Sequence, residues 1–305
     1  MFRPLRSEDF KQINALLAAG LTEDTTWTAT TMIGWLKELS PSVVVTERYI
    51  LLQYSLGDIT VFPSPLVGKK EDYSAAVDAL EAMGVNRIQQ VTPWQAELLK
   101  ERGYEIQKSE GEEEYIYDTE ALVSLKGKKY HAKRNFIHSA DYPYLLRPYR
   151  TDDYDGIVEL MYRWKSNAER TEDIRDYDYE WKTIRATLQK SDFEMELTAL
   201  TRVLSDLEGF NCIAAILESE GKTIGFAVGE RMASGGGVLY FEKADTAYKG
   251  VYAVLDHLFL KEYFSDARFI NKQEDLGIEG LRKSKLSYHP VRFAERYLAT
   301  KPKGR

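Results

Sequence analysis

The chain has 305 residues, enough for two domains of ordinary size, and 44% of them are hydrophobic, which supplies material for packed cores. Its net charge of −7 excludes a general affinity for nucleic acid or anionic membrane, because both are polyanions. The single cysteine, Cys212, lies in an apolar run, and a lone thiol is typical of a reducing compartment. No stretch approaches the ~20 apolar residues that a membrane-spanning helix needs. We therefore expect a cytoplasmic protein without a transmembrane segment.

The beginning of the chain occurs twice. Residues 3–10 (RPLRSEDF) are echoed by residues 147–154 (RPYRTDDY), and the apolar positions that follow are in register as well. Each copy is typical of a short strand that leads into a helix, with Ser7 or Thr151 as the predicted N-cap and acids in the first turn. The repeat predicts a tandem duplication.

The elements that follow the first copy can be predicted in chain order. Short strands are expected at 43–45, 49–53 and 58–62, because turn residues separate these apolar runs. A helix over 72–83 and a strand over 85–91 come next. A further helix is predicted to begin at the pair Thr92-Pro93 and to end before a glycine.

The second copy is followed by the same order of elements. Strands at 211–217, 223–231 and 238–243 predict an antiparallel meander with glycine-containing turns. A helix over 248–264, a strand over 268–271 and a helix over 278–285 complete the pattern. This is the element order of the GNAT acyltransferase fold. We therefore predict an α/β (α+β) protein with two tandem GNAT-like domains, residues 1–140 and 141–305, each a mixed, mainly antiparallel sheet flanked by helices.

A basic segment lies at the predicted domain junction. Five cationic residues fall between positions 126 and 134, next to aromatic rings. Lys128, Lys129 and Arg134 could therefore bind phosphates, and the alternative is a solvated helix face that bridges the domains by ion pairs. The histidines of this segment, His131 and His138, are too far apart on a helix to share a metal ion, so no metal site is predicted.

The end of the predicted strand at Glu242 and Lys243 leads through a turn into a helix. A glycine turn of this kind is typical of an anion site, because unpaired N–H groups point outward at the helix start. GNAT enzymes carry a Gln/Arg-x-x-Gly-x-Gly/Ala loop here for the pyrophosphate of coenzyme A. Only Gly250 matches, since Ala247 and Tyr252 depart from that pattern. Coenzyme A is therefore disfavoured, and no cofactor is firmly implied.

Polar residues also crowd the exit of the last predicted strand and the helix after it. Ligands usually sit at the carboxyl ends of strands in α/β sheets, which favours a functional role for Asn271 and Asp275. Arg282 and Lys285 share one helix face. The alternative is a capped helix with surface cations.

Short motifs in these segments are similar to those of one family over nearly the whole chain. They are Gly127-Lys128-Lys129 with Arg134-Asn135, Gly250-Val251-Tyr252 with Leu258-Phe259, and Leu276-Gly277 followed by Lys285, Tyr288, Pro290 and Arg296-Tyr297-Leu298. Through them the chain resembles the C-terminal, tandem-GNAT domain of phosphatidylglycerol lysyltransferases and, more distantly, the Fem-type aminoacyltransferases. A bacterial group of unassigned function is more similar, through Glu242-Lys243-Ala244, Asn271 and Asp275-Leu276-Gly277. The lysyltransferase strand motif Asp-Leu-Met-Arg is replaced here by residues 241–244.

The resemblance implies acyl or aminoacyl transfer in the second domain, from an aminoacyl-tRNA to an amine or hydroxyl acceptor. Glu242 or Asp275 is the candidate base for the nucleophile's proton. The acceptor, a small molecule or a lipid headgroup, is not identified by the sequence. The candidate substrate-binding residues are Lys128, Lys129, Arg134, Asn135, Lys243, Tyr248, Gly250, Tyr252, Asn271, Arg282, Lys285 and Tyr288.

Two alternatives remain at this point. A non-catalytic GNAT-fold module could bind a small anion or a nucleotide, which the degenerate pyrophosphate loop favours. A coenzyme A-dependent N-acetyltransferase is the other, and it ranks last because of that same loop.

Overall fold

Three β-sheets organise the part of the chain that this computed structural model describes, residues 1–167 and 187–302. The strands are β1 (Arg3–Pro4), β2 (Ser42–Val45), β3 (Tyr49–Leu56), β4 (Ile59–Val61), β5 (Leu66–Val67), β6 (Arg87–Val91), β7 (Glu105–Lys108), β8 (Glu114–Tyr117), β9 (Leu145–Pro148), β10 (Cys212–Ser219), β11 (Lys222–Arg231), β12 (Gly237–Ala244), β13 (Ile270–Asn271), β14 (Arg292–Ala294) and β15 (Tyr297–Thr300). The first sheet has the order β1-β2-β3-β4, with β5 also paired to β3. The second has the order β14-β8-β13-β12-β11-β10-β9, and the third is β6-β15-β7.

The α-helices of the described residues pack on these sheets. They are α1 (Phe10–Leu17), α2 (Tyr73–Ala82), α3 (Pro93–Glu101), α4 (Thr119–Ser124), α5 (His131–His138), α6 (Tyr154–Asn167), α7 (Asp192–Ser205), α8 (Val251–Tyr263) and α9 (Glu279–Leu286). Within the described ranges, no helix combines the length and the apolar character needed to cross a bilayer.

The predicted meander is confirmed as β10, β11 and β12, which pair antiparallel in sequence order. Alternate residues of β11 face opposite sides of the sheet, as a strand requires. Phe226 packs with Leu160 and Leu200 of α6 and α7 on one face. Ala227 packs with Leu255 of α8 on the other. The second sheet is therefore covered by helices on both faces, in agreement with the predicted mixed α+β class.

The duplication is visible as a repeated ion pair at the start of each half. Arg3 donates to both carboxylate oxygens of Asp9, over 2.8 and 2.6 Å. Arg147 does the same to Asp153, with both distances 2.7 Å. In each copy the aspartate also accepts the backbone N–H three residues earlier, over 2.8 Å in the first and 2.7 Å in the second. The two halves thus begin with one geometry.

This geometry corrects the predicted N-caps. Ser7 and Thr151 lie inside short 3₁₀ turns that precede α1 and α6; the N-caps of these turns are Arg6 and Arg150, and the N-cap of α1 is Asp9. Arg3 and Arg147, in the strands that precede these turns, pair with Asp9 and Asp153, and each aspartate, rather than the hydroxyl, accepts the free backbone N–H. A charged acceptor forms the stronger hydrogen bond, which explains why the simple capping prediction was wrong.

Each half of the chain contributes one strand to a sheet of the other half. Strand β8, from the first half, lies inside the second sheet, antiparallel to both β13 and β14. Strand β15, from the end of the second half, lies between β6 and β7 in the third sheet. The two halves are therefore interlocked, and the boundary near residue 140 stays a prediction.

We expect Asp153→Asn to lower the free energy of unfolding by about 1–3 kcal/mol, because Arg147 and a backbone N–H lose a charged acceptor. The hydrogen bond from Arg147 lowers the pKa of Asp153 despite partial burial. Its stabilising contribution is therefore present at neutral pH and is lost as the pH falls through that lowered pKa. Urea unfolding at several pH values measures both effects.

The matched control is Asp152→Asn, because the neighbouring Asp152 is exposed. A surface substitution of this kind should change the unfolding free energy by less than about 0.5 kcal/mol. Equal losses in the two variants would contradict a specific role for Asp153.

Candidate active site

Glu242 lies near the carboxyl end of β12 and is the predicted base that the structure leaves without a full set of partners. Its Oε1 atom is buried and has no hydrogen-bond partner among the described residues. A buried carboxylate oxygen without a partner is costly, so its persistence in a fold usually reflects a function.

Four charged or polar side chains from other elements surround this carboxyl group. They are Lys133 of α5, Asp256 of α8, Lys272 after β13 and Tyr288 after α9. The Lys272 ammonium forms an ion pair with Asp256 and lies 4.2 Å from the centre of the Tyr288 ring. Lys133 Nζ lies 3.5 Å from the centre of the same ring. We call Glu242 and these four residues the Glu242 cluster.

Burial dominates the ionisation of this cluster. It raises the pKa of Glu242 to about 8, and the charge of Asp256 adds to the effect while the neighbouring lysines oppose it. Burial also lowers the pKa of Lys133 to about 8. Two groups that change protonation near neutral pH in one buried cluster are typical of a site of acid–base chemistry.

Lys243 and Tyr252, both predicted substrate-binding residues, lie beside the cluster. Lys243 forms an ion pair with Glu196 over 2.9 Å and lies 4.0 Å from the ring centre of Trp164. Burial, with the charge of Glu242, raises the pKa of Tyr252 to about 12, and its side chain also hydrogen-bonds to Trp164. Aromatic and charged groups from β12, α6, α7 and α8 thus meet at one point.

Helix α5 closes the position where a pyrophosphate loop would be expected. Gly250 has φ +75° at the start of α8, and a Cβ atom there would lie 2.2 Å from the carbonyl oxygen of Phe136. Only glycine fits both the left-handed backbone and this contact. The carbonyl end of α5 therefore faces the amino end of α8. Tyr248, in the same turn, packs edge-on against Tyr142 at 5.0 Å.

Asp275, the other predicted base, is fully engaged. It accepts hydrogen bonds from Arg282 over 2.6 Å, from the Tyr115 hydroxyl over 2.6 Å and from the Gly277 N–H over 2.8 Å. Burial opposes its ionisation, but these hydrogen bonds keep its pKa below the ordinary value. The geometry favours a structural role for Asp275 and Arg282.

Lys285 holds the loop that precedes α9. Its ammonium donates to the carbonyl oxygens of residues 272, 273 and 274, over 2.5, 3.1 and 2.5 Å. Burial lowers its pKa to about 8. All three donors are used, so Lys285 positions the segment that carries Lys272 rather than a phosphate.

Asn271 is fully buried and belongs to a separate polar group. Its amide donates to Glu114 over 2.5 Å and to the Glu23 carbonyl over 2.9 Å. Glu114 also forms an ion pair with Arg296. Burial, opposed by Arg296, raises the pKa of Glu114 to about 7. Asn271 thus joins the halves, and in the described part of the chain its side chain forms no hydrogen bond with the Glu242 cluster.

The basic junction divides into exposed and engaged residues. Lys128 and Lys129 are exposed in the 3₁₀ turn that leads into α5. Arg134 donates to the carbonyl oxygens of Leu125 and Gly127 and so fixes the turn. Asn135 is exposed and contacts His131 one helical turn earlier.

The structure thus brings Glu242, Lys243, Tyr252 and Tyr288 together and separates the other predicted residues from them. Lys133, Asp256 and Lys272 complete the cluster and were not singled out from the sequence. Lys133 lies within the basic segment and Lys272 follows Asn271, so both are neighbours of residues that the sequence analysis selected. The available signal was Asp256, an acid within the largely apolar helix α8.

Comparison with known proteins places these features in a family. Residues 28–300 match the family described as "Phosphatidylglycerol lysyltransferase, C-terminal". A conserved protein of unknown function from Bacteroides thetaiotaomicron VPI-5482 has the same fold, with a TM-score of 0.82 and 24% identity over 99% of both chains. The C-terminal domain of an Agrobacterium fabrum protein assigned as a lysylphosphatidylglycerol synthetase gives a TM-score of 0.63 and 16% identity, over 97% of this chain and 93% of that one.

FemX is similar as well, with a TM-score of 0.53 and 11% identity over 98% of this chain and 96% of the other. These similarities confirm the tandem GNAT-like fold and the resemblances that the motifs indicate. Because the family match covers most of its length, the chain belongs to the family of phosphatidylglycerol lysyltransferase C-terminal domains.

Proposed function

We propose that this chain transfers an aminoacyl group from aminoacyl-tRNA to an amine or hydroxyl acceptor, with Glu242 as the general base. Family membership supports acyl or aminoacyl transfer in general. The observation that carries the assignment to Glu242 is its buried, unpartnered carboxylate oxygen beside two lysines.

The transfer requires few groups. The acceptor nitrogen or oxygen attacks the ester carbonyl of the donor, and Glu242 takes the proton that the acceptor loses. As the carbon–oxygen bond of the ester breaks, protonated Glu242 gives that proton to the departing ribose oxygen, which leaves as a hydroxyl. The Lys272 ammonium, held beside Glu242 by Asp256, is placed to stabilise the negative charge that develops on the carbonyl oxygen.

The basic residues before α5 support a phosphate-bearing donor. Helix α5 contributes Lys133 to the cluster, and exposed Lys128 and Lys129 precede that same helix. Exposed lysines of this kind contribute sequence-independent binding to a nucleic-acid backbone. Because the net charge of the chain is −7, we expect a nucleic acid to bind at this local basic surface and not over the whole protein.

The packing of α5 also supports a donor other than coenzyme A. The Phe136 carbonyl lies against Gly250 at the start of α8, where a pyrophosphate would need free N–H groups. The partial negative charge of this carbonyl oxygen would repel a phosphate bound at the start of α8.

Glu242→Gln is expected to reduce aminoacyl transfer at least about 100-fold, the lower end of a general base's contribution. Transfer is measured with total aminoacyl-tRNA carrying labelled amino acids and a panel of acceptors that includes phosphatidylglycerol vesicles and small amines. Binding of the charged tRNA should stay within about twofold, because Gln keeps the shape of the side chain.

Glu218→Gln serves as the control, since Glu218 lies in the same sheet and pairs with Arg147 away from the cluster. Retained turnover in Glu242→Gln would remove Glu242 from the role of base. Tight tRNA binding without any product from the wild type would favour the non-catalytic module.

The transfer rate should rise with pH through about 8, because only the ionised carboxylate of Glu242 accepts a proton. A hydroxyl acceptor such as phosphatidylglycerol avoids titration of the acceptor itself, and ester hydrolysis without protein is subtracted. The residual rate of Glu242→Gln should lack this step.

Stability gives an independent measurement of the same pKa. A carboxyl group whose pKa is raised stabilises the fold while it is protonated, and that contribution is lost as the pH rises through about 8. Glu242→Gln should therefore gain stability relative to the wild type between pH 6 and 9. A constant difference would contradict the raised pKa.

Replacing Lys128 and Lys129 together by Ala should weaken binding of aminoacyl-tRNA, because two phosphate contacts are lost. The slope of log affinity against log salt should decrease by roughly 0.7–0.9 for each lysine. The charge-matched control replaces the exposed Lys11 and Lys100 of the first half. Equal losses in both double variants would indicate a net-charge effect instead of a binding surface.

A further inference from the structure

Helix α5 carries a cation and an aromatic ring side by side at the edge of the Glu242 cluster. No residue of this helix is fully buried. Lys133 is half-buried and reaches the Tyr288 ring, whereas Phe136 is 52% exposed. Residues three apart on a helix are neighbours on one face, so the two side chains can contact the same ligand.

Lys133 is a cation without an anion of its own. Its ammonium lies over the Tyr288 ring and forms no ion pair or hydrogen bond within the part of the chain that the structure describes. The other lysine of the cluster, Lys272, already pairs with Asp256. A half-buried ammonium without a hydrogen-bonded acceptor is costly, which favours an anionic ligand beside it.

The exposed ring of Phe136 stands on a fixed backbone. The Phe136 carbonyl accepts a hydrogen bond from the Ser139 hydroxyl over 2.8 Å. The same carbonyl oxygen packs so closely on Gly250, at the start of α8, that no side chain fits there. A ring on an immobile backbone loses little freedom when a flat ligand stacks on it.

The cations of this face continue away from the cluster. Lys129 is exposed and precedes Lys133 by four residues, about one helical turn. The His289 ring donates from Nε2 to the Lys129 carbonyl over 3.1 Å and so fixes this turn. A single nucleic-acid strand can therefore contact both lysines with neighbouring phosphates.

This arrangement favours a nucleotide over a lipid surface. The Lys133 ammonium faces the Tyr288 ring inside the cluster, where the flat surface of a bilayer does not reach. An unpaired nucleotide is small enough to enter, with its phosphate on the cation and its base on the exposed ring. The ribose that joins them would then lie beside Glu242.

We propose that Lys133 and Phe136 bind the terminal nucleotide of the donor, with a phosphate on Lys133 and the base stacked on Phe136. The inference rests on the proposed function, because this nucleotide carries the ester that Glu242 would act on. Stacking on an aromatic ring is tolerant of base identity and contributes about 5- to 150-fold in affinity. Lys129 would hold the preceding phosphate.

The test measures binding of adenosine 5′-monophosphate (AMP) to the full chain by NMR titration, with adenosine and ribose 5-phosphate as probes that each lack one half. AMP should bind at least about fivefold more tightly than either probe. Lys133→Met should weaken binding of AMP and ribose 5-phosphate by at least about fivefold but not that of adenosine. Phe136→Leu should weaken binding of AMP and adenosine to a similar extent but not that of ribose 5-phosphate.

Two matched variants serve as controls. Tyr162→Leu removes a ring that is 53% exposed on α6, which packs on the opposite face of the second sheet. Lys11→Met removes an exposed cation of the first half. Both should bind AMP as the wild type does, and a loss in either control equal to that of its partner would contradict a defined site.

Absence of AMP binding, equal affinity for the three probes, or undiminished AMP binding in Lys133→Met or Phe136→Leu would each overturn the proposal. Phosphatidylglycerol vesicles form a separate arm. If Phe136→Leu lowered binding to vesicles but not to AMP, the ring would belong to a lipid contact instead. Glu242→Gln should bind AMP as the wild type does, so a failure of aminoacyl transfer would leave this result intact.

Discussion

The ion pair between Glu114 and Arg296 is the interaction on which the arrangement of the two halves depends. Glu114 belongs to β8, which lies in the sheet of the second half, and Arg296 immediately precedes β15, which lies in the sheet of the first. Glu114 is completely buried and also accepts hydrogen bonds from the Thr25 N–H over 3.0 Å and from Asn271 over 2.5 Å. Breaking a buried pair of this kind by removing one partner typically costs 3–5 kcal/mol. The pair therefore holds both crossing strands, and β8 in turn supports β13 and β12, which carries Glu242.

The sequence was most informative where local physics decides the structure. The meander, the helices around residues 72–83 and 248–264, and the helix that begins after Thr92 follow from periodicity and turn residues, and all are confirmed. The predicted caps Ser7 and Thr151 were wrong because an arginine in the preceding strand pairs with the aspartate that follows, and this aspartate accepts the free backbone N–H instead of the hydroxyl. The N-cap rule considers only the residues next to the helix start, so it cannot include an arginine six residues before the aspartate.

The candidate site was only half predictable for the same reason. Glu242 and Lys243 were recognisable at a strand end, but Lys133, Asp256 and Lys272 reach the cluster from three other elements. Motif similarity also gave equal weight to Asp275, whose partners fix a loop. Polar residues around a helix start are alike in sequence whether they bind a substrate or hold the backbone. Only the hydrogen-bond partners distinguish the two roles.

The position of β15 has a consequence for how the molecule is made. This strand lies in the middle of the third sheet, so β6 and β7 have no common neighbour until residues 297–300 arrive. During translation the first half therefore emerges with two unpaired edges and must wait for nearly two hundred further residues, counted from β7 to β15. Contacts this distant in sequence slow folding and leave strand edges open to aggregation. The duplicated halves are consequently not two modules that mature in turn on the ribosome, but one unit that is completed late.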